Sequence, residues 1–296
     1  MLELIEQFEK RFGSSEECYA FLFQIKWPGG FECPICSHKH CYVISTRRLP
    51  LYECRACRHQ SSLTAGTIME KSRTSLRKWM LALFLFTHPL VEGLNAVKLA
   101  ECLNVTYKTA WSMLGKIRRA VSRIDDCQPL NGNVDVIVAA YCRPLIGSLL
   151  PHPKETPVVV GANLNGSGSE ASAVKMKIAD PSMLRASNAC FLFPEGEHWF
   201  ASCCAAEDAE IRYIHQPIRH RPQSLTLRML AKQAQKWAAR IYRGISGCHL
   251  QSYLDEFCFR YNYRTQGISA ESAFLTLSQA SVGLIDGAAN KTTLVA

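Results

Sequence analysis

Two cysteine pairs constrain this chain more than any other feature of its sequence. Cys33-Pro-Ile-Cys36 is followed, after seventeen intervening residues, by Cys54-Arg-Ala-Cys57. Each C-x2-C turn aims two thiolates at one point, and two turns at this spacing complete the tetrahedral sulfur shell that Zn2+ takes in structural sites. His38, His40 and His59 stand near enough to be alternative ligands, but four cysteines already fill the shell. A filled shell leaves no open position, so the metal is structural and not catalytic. The other ten cysteines show no such pairing and read as small buried apolar residues. Disulfides are not needed either, because 296 residues that are 48% hydrophobic supply ample core.

Charge is distributed unevenly. The net charge is +9, and residues 1–124 hold 18 basic and 10 acidic side chains, so +8 lies there and +1 in the remainder. That bias predicts a polyanionic partner for the N-terminal part, nucleic acid ahead of membrane because no strongly basic amphipathic stripe is present. A merely solvated basic face is the competing reading. The longest apolar run, residues 79–86, is eight residues long and cannot cross the ~30 Å of a bilayer. Leu2, Ile5, Phe8 and Phe12 recur at helical spacing among Glu and Lys, which is an amphipathic helix and not an export signal. The expected setting is the cytoplasm.

Leu76-Arg-Lys-Trp79 opens that apolar run as a buried helix that stops before Pro89. Residues 96–103 then read as a short amphipathic helix, Asn104-Val105-Thr106 as a turn, and residues 107–120 as a second, basic helix that Thr106 can cap. Two short helices, a tight turn and a basic second helix make a helix-turn-helix, against the plainer alternative of an ordinary helical hairpin. In that geometry the start of the second helix enters the major groove, which makes Tyr107, Lys108 and Ser112 candidates for contacts to DNA. Arg118, Arg119 and Arg123 are expected near phosphates, steadying the docking. Trp111, Leu114 and Ile117 fit the core-facing stripe.

Residues 125–132 form a polar joint, after which the periodicity changes from 3.6 to 2 and a new domain is expected. Strands are predicted at 133–140, at 157–161, around the alternating Val174, Met176 and Ile178, and at 190–193, with a turn at Asn165-Gly166-Ser167-Gly168. Three strands in meander followed by mixed helix and strand match the start of a ribonuclease-H-like α/β fold. Asp135 lies inside an apolar strand. There its desolvation cost demands a partner such as a metal ion or a donor cluster, unless it reaches solvent at the strand's end. Helices are predicted at 225–240 and 248–264. The second carries Leu250, Tyr253, Leu254, Phe257 and Tyr261 on one side, and aromatic and Arg residues toward its end could also face DNA.

The CPIC and YECRAC pairs, Ala65-Gly66-Thr67, YKTAW with KIRRA, Val134-Asp135 and HLQSYLDEFCFRYNYR together resemble insertion-sequence transposases of the zinc-ribbon DDE group, the ISXO type. The resemblance runs from about residue 15 to 264. It implies a multi-domain chain: residues 1–66 an N-terminal helix and zinc ribbon, 67–124 a helix-turn-helix segment, 125–264 a ribonuclease-H-like DDE domain with C-terminal helices, and 265–296 a tail. It also implies a bacterial, nucleoid-associated protein that forms homo-oligomers. Such a protein binds double-stranded DNA at terminal inverted repeats and joins the freed 3′ hydroxyl to target DNA, using Mg2+ or Mn2+ held by acidic residues.

Carried over position by position, the resemblance gives an incomplete catalytic set. Asp135 matches the first aspartate. Glu195, with Gly196 behind it and Phe200 beyond, fits the second position as a longer carboxylate, with Ser202 the alternative. A gapless count places Arg228 at the third position, with Gln223 and Leu225 where the group usually has histidine and asparagine. Glu207, Asp208 or Glu210 could stand in under a different register. A guanidinium repels the cations that it should help to hold, so the expectation is a transposase-type protein with impaired catalysis. The alternative is a catalytically inactive zinc-dependent DNA-binding protein or repressor of the same descent.

Overall fold

Three short strands surround the cysteine pairs because each turn reverses the chain just where a thiol must point inward. β1 (Cys41–Ile44), β2 (Leu51–Cys54) and β3 (Gln60–Ser62) form an antiparallel sheet in that order, with Cys41 opposite Cys54 and Tyr52 opposite Ser61. The computed structural model describes residues 1–45, 49–141, 156–166, 168–184, 192–214 and 222–283. The chain divides into two compact units, residues 1–120 together with the segment that begins at Ala270, and residues 121–269.

In the first unit the ribbon is packed onto helices. Ahead of it lie α1 (Leu2–Arg11) and α2 (Ser15–Lys26), the latter opened by a capping box in which the Ser14 hydroxyl accepts from the Glu17 amide and the Glu17 carboxylate accepts from the Ser14 amide. Phe23, Trp27, Phe31 and Tyr52 pack their rings together, mostly edge to face, so the zinc ribbon shares a core with its neighbours. The apolar run becomes α3 (Leu76–Thr87), whose Trp79, Met80, Leu83, Leu85 and Phe86 are all buried. α3 ends at His88, held extended before Pro89. α4 (Ala96–Leu103) and α5 (Tyr107–Cys127) follow.

Residues 265–296, expected to be a tail, contain a further helix of this first unit. That helix buries Ala273, Phe274 and Leu277. Phe274 lies 5.9 Å from Phe12, 5.3 Å from Phe21 and 6.2 Å from Phe84 between ring centroids. Beyond it, the Ile68 amide donates to the Ser281 carbonyl and the Gly283 amide to that of Gly66. The Ala65-Gly66-Thr67 turn is thus where the end of the described chain is tied down, with Gly66 at φ +72°.

The second unit is a mixed sheet in the order β6-β5-β4-β7. β4 (Asn133–Tyr141), β5 (Thr156–Leu164) and β6 (Ala171–Ile178) run as an antiparallel meander, and β7 (Glu210–Tyr213) pairs parallel with β4. α6 (Pro194–Cys204) covers one face, its Phe200 and Cys204 packing with Val134, Val136 and Val159. α7 (Pro222–Tyr242) and α8 (Leu250–Thr265) cover the other through Leu227, Leu230, Leu254 and Phe257. The helix in the first unit from Ala270 to Ala280 is α9.

Two expectations change in this unit. The strand expected at 190–193 falls partly outside the described residues, at 190 and 191, and the fourth strand of the described sheet is β7. Leu192 makes an isolated bridge to Leu184, and Pro194 at once opens α6. On the side of β4 away from β5, the strand in the described sheet is β7. Residues 125–132 are not a polar joint from their start, because α5 continues to Cys127 and Asp125 is buried. Lys175 Nζ donates to the Asp125 carbonyl and stands 3.1 Å from its carboxylate. Lys177 Nζ lies 2.8 Å from the same carboxylate and 3.3 Å from Asp255. The lysines that alternate along β6 therefore enter an ion cluster and not water.

Candidate metal centre and nucleic-acid interface

The four cysteines converge as their spacing requires. Their sulfur atoms all lie within 4.8 Å of one another, with Cys33 to Cys57 and Cys36 to Cys54 each at 3.5 Å. Tetrahedral ligands at Zn–S ~2.3 Å stand roughly 3.8 Å apart, so the donor set and its spacing suit a zinc ion. The two turns repeat the same hydrogen bonds. The Cys33 amide donates to His38 and the Ser37 amide to Cys33, while the Cys54 amide donates to His59 and that of Arg58 to Cys54. Ser37 and Arg58 both take left-handed φ, 56° and 60°, which closes each turn tightly. Burial works against the Cys54 thiolate, but the Cys57 and Ala56 amides donate to it and bring it down to about 7. At Cys57 the His59 amide lowers the thiol, yet burial and three neighbouring thiols together push it up to about 12. Four thiolates at this separation need a dication to coexist, which a zinc ion held by these cysteines would supply.

The second cluster of candidates lies on α5. Asn104 ends α4 in the left-handed conformation, φ 47°, and the Thr106 hydroxyl accepts from the Thr109 amide 3.2 Å away at the start of α5. Ala110, Met113, Leu114, Ile117 and Val121 are buried along one stripe. Tyr107, Lys108, Trp111, Ser112, Gly115 and Arg119 form the opposite, exposed stripe. Two assignments exchange places here. Trp111, expected in the core, is 47% exposed, and Arg118, expected near phosphates, is 3% exposed. The reason is geometric, since Arg118 falls four residues after Leu114 and three before Val121, on the buried side. Arg123 is half-buried and belongs to the second unit.

Asp135 is buried, at 7% exposure, but its partner is a side chain. Arg212 Nε donates to Oδ1 at 2.6 Å and Nη2 to Oδ2 at 2.7 Å. The two residues face each other in register across the parallel β4–β7 pair. The hydrogen bond to Asp135 holds the guanidinium above its ordinary pKa. Nothing local in the sequence announces Arg212, because its role arises from strand pairing. A cleft of about 500 Å3 opens beside the pair and is lined also by Asn133, Asn165 and Glu210.

Of the other catalytic candidates, Glu210 lines that cleft and the rest are not among its lining residues. Glu195 is exposed in the first turn of α6, and Arg228 is exposed on α7. The neighbours that drew attention to Glu195 have packing roles. A Cβ on Gly196 would stand 2.9 Å from Leu192, and a Cβ on Gly161 would stand 2.5 Å from the Phe200 ring, so both glycines make room for α6. Ser202 is exposed and donates to the Trp199 carbonyl at 2.9 Å. Glu207 and Asp208 are exposed before β7, Gln223 lies in the first turn of α7 and Leu225 is exposed. Among the described residues, the four cysteines are the one group of three or more His, Cys, Asp or Glu close enough to share an ion. The residues around Asp135 thus do not fit the paired divalent cations, which need several anionic oxygens.

Residues 13–60 match the family described as the transposase zinc-ribbon domain. An uncharacterized protein in transposable element ISH50 of Halobacterium salinarum is 28% identical over 131 residues, 43% of this chain and 42% of that protein. The chain thus carries a transposase-type zinc ribbon and is similar to an insertion-sequence protein. It spans less than half the length of this transposable-element relative. No solved structure matches it. The segment that matches the zinc-ribbon family begins just before α2 and ends at the start of β3, so it encloses both cysteine pairs. Among the described residues, no helix is long and apolar enough to cross a membrane.

Proposed function

We propose that this chain binds double-stranded DNA at the ends of its own element, through α4, α5 and the turn between them acting as a helix-turn-helix. The observation that carries this reading is the exposed stripe of Tyr107, Lys108, Trp111, Ser112 and Arg119 along α5. A second helix that offers an aromatic, a hydroxyl and cations on one solvent face, starting at a tight turn, is what major-groove docking requires. The positive charge of residues 1–124 supports the same reading, since phosphate neutralisation supplies much of the affinity for DNA. Zinc in the ribbon is structural and keeps this unit folded. The second unit is taken as a ribonuclease-H-like frame, supported by a three-stranded meander extended by one parallel strand with helices on both faces. Pairing of two element ends by a homo-oligomer is part of the same proposal.

Between a working recombinase and a DNA-binding descendant or repressor, the Asp135–Arg212 pair favours the second. The test is a gel shift on duplex DNA carrying the element's terminal repeats. Wild type is expected to bind, with affinity falling steeply as salt rises. Lys108→Ala is expected to weaken binding by about 3- to 10-fold, and Cys54→Ser to lose zinc and binding together. Equal shifts by wild type and Lys108→Ala would refute the placement of α5 in the groove.

A further inference from the structure

The cations that the resemblance implies and the residues that surround Asp135 disagree, and the disagreement has a structural cause. A guanidinium is a planar, permanently charged fork that matches both oxygens of a carboxylate. Arg212 uses that match fully, at 2.6 and 2.7 Å. A divalent ion would need the same lone pairs and further anionic oxygens besides. The pair also answers the cost of burying an aspartate within an apolar strand, which was the reason for expecting a metal there.

We infer that Arg212 has taken the place of a divalent cation at Asp135, that the two residues now clamp β7 to β4, and that the chain does not itself cleave DNA. The inference rests on reading Asp135 as the first catalytic position of the zinc-ribbon DDE group. The clamp has a mechanical purpose. β7 is four residues long and stands at the end of the described sheet, paired on one side by β4. A short edge strand has few ladder bonds to hold it, and an in-register charged pair adds the missing attachment. Glu210 lies two residues before Arg212 on the same strand and lines the same cleft. One exposed carboxylate beside a guanidinium does not rebuild a site for paired cations.

The experiment uses the zinc-loaded full chain as wild type, Asp135→Asn, Arg212→Gln and the double variant. Free Mn2+ is followed by its electron paramagnetic resonance signal during titration, and melting midpoints are recorded on the same samples. Wild type and Asp135→Asn are expected to leave the Mn2+ signal equally undiminished. Each single variant is expected to lower the midpoint by several degrees, with the double variant no lower than the worse single. Mn2+ uptake by wild type that Asp135→Asn abolishes overturns the inference, as does a double variant whose loss equals the sum of the singles. Gel shifts on duplex DNA are expected to be the same for wild type and Asp135→Asn. Failure of every protein to shift DNA counts against the proposed function and leaves the clamp standing.

Discussion

Lys177 is one side chain that ties three elements together. It stands on β6 and reaches Asp125 and Asp126 of α5 and Asp255 of α8 at 2.8, 3.1 and 3.3 Å. Burial opposes its charge, but Asp255 and Asp125 overcome that cost and hold the ammonium above the ordinary lysine range. A base whose folded pKa exceeds its unfolded value contributes stability that is complete below the unfolded pKa, ~10.4, and lost as pH rises through the folded value. Lys177→Met is therefore expected to melt below wild type at pH 7, by about 3 kcal/mol of stability because it strands buried carboxylates. The gap should narrow as pH is raised past the lysine range, and a gap unchanged across that range would mean that the charge is irrelevant. Legibility at this scale followed distance along the chain. The cysteine pairs were readable because each ligand turn is local, and Arg118 was misread though its place three residues before Val121 was on view. Arg212 was out of reach because it meets Asp135 only through the register of strands 77 residues apart.

At the scale of elements, α8 shows why a polar signature can be structural. β6 is an edge strand in the described sheet, and its outward backbone groups would attract another chain if left bare. α8 covers them with side chains. Asn262 accepts from the Val174 amide at 2.8 Å and donates to its carbonyl at 3.0 Å, as a neighbouring strand would. Gln251, three helical turns earlier, accepts from the Ile178 amide at 2.8 Å and donates to the Met176 carbonyl at 2.9 Å. Tyr261 and Thr265 donate to the Ala171 and Ser172 carbonyls. Tyr261, Asn262 and Thr265, near the end of α8, thus bond to the sheet of their own unit, while Arg264 beside them is exposed. The apolar stripe of Leu250, Leu254 and Phe257 was legible from its period. The polar residues between were not, since amphipathic patterning assigns them to water and only the bare edge of β6 explains their burial. Asn262→Ala leaves the Val174 amide and carbonyl without these partners and is expected to cost about 2 kcal/mol. Chemical denaturation measures this, and a variant as stable as wild type would show that water replaces the amide without penalty.

At the scale of the whole molecule, the chain returns to its first unit after completing the second. A reading that proceeds from one end to the other expects consecutive modules and assigns the remainder to a tail. α9 lacks a chemical signature of its own, and what fixes it is a set of rings far away in sequence. Phe274 completes the cluster of Phe8, Phe12, Phe21 and Phe84, and Arg11 of α1 pairs with Glu271 at 3.1 Å. The residues that support α3 therefore come from both ends of the described chain. If the unit that carries the zinc ribbon and α5 depends on this late helix, damage to α9 should act on that unit and spare the sheet. Phe274→Ala removes a ring that is 1% exposed and is expected to cost about 3–5 kcal/mol. Amide hydrogen exchange followed by mass spectrometry locates the effect: faster exchange in α1, α2 and α3, with β4 and β5 unchanged. Equal acceleration in both units would mean that they unfold as one, and no acceleration in α3 would mean that α9 is not needed to hold the first unit together.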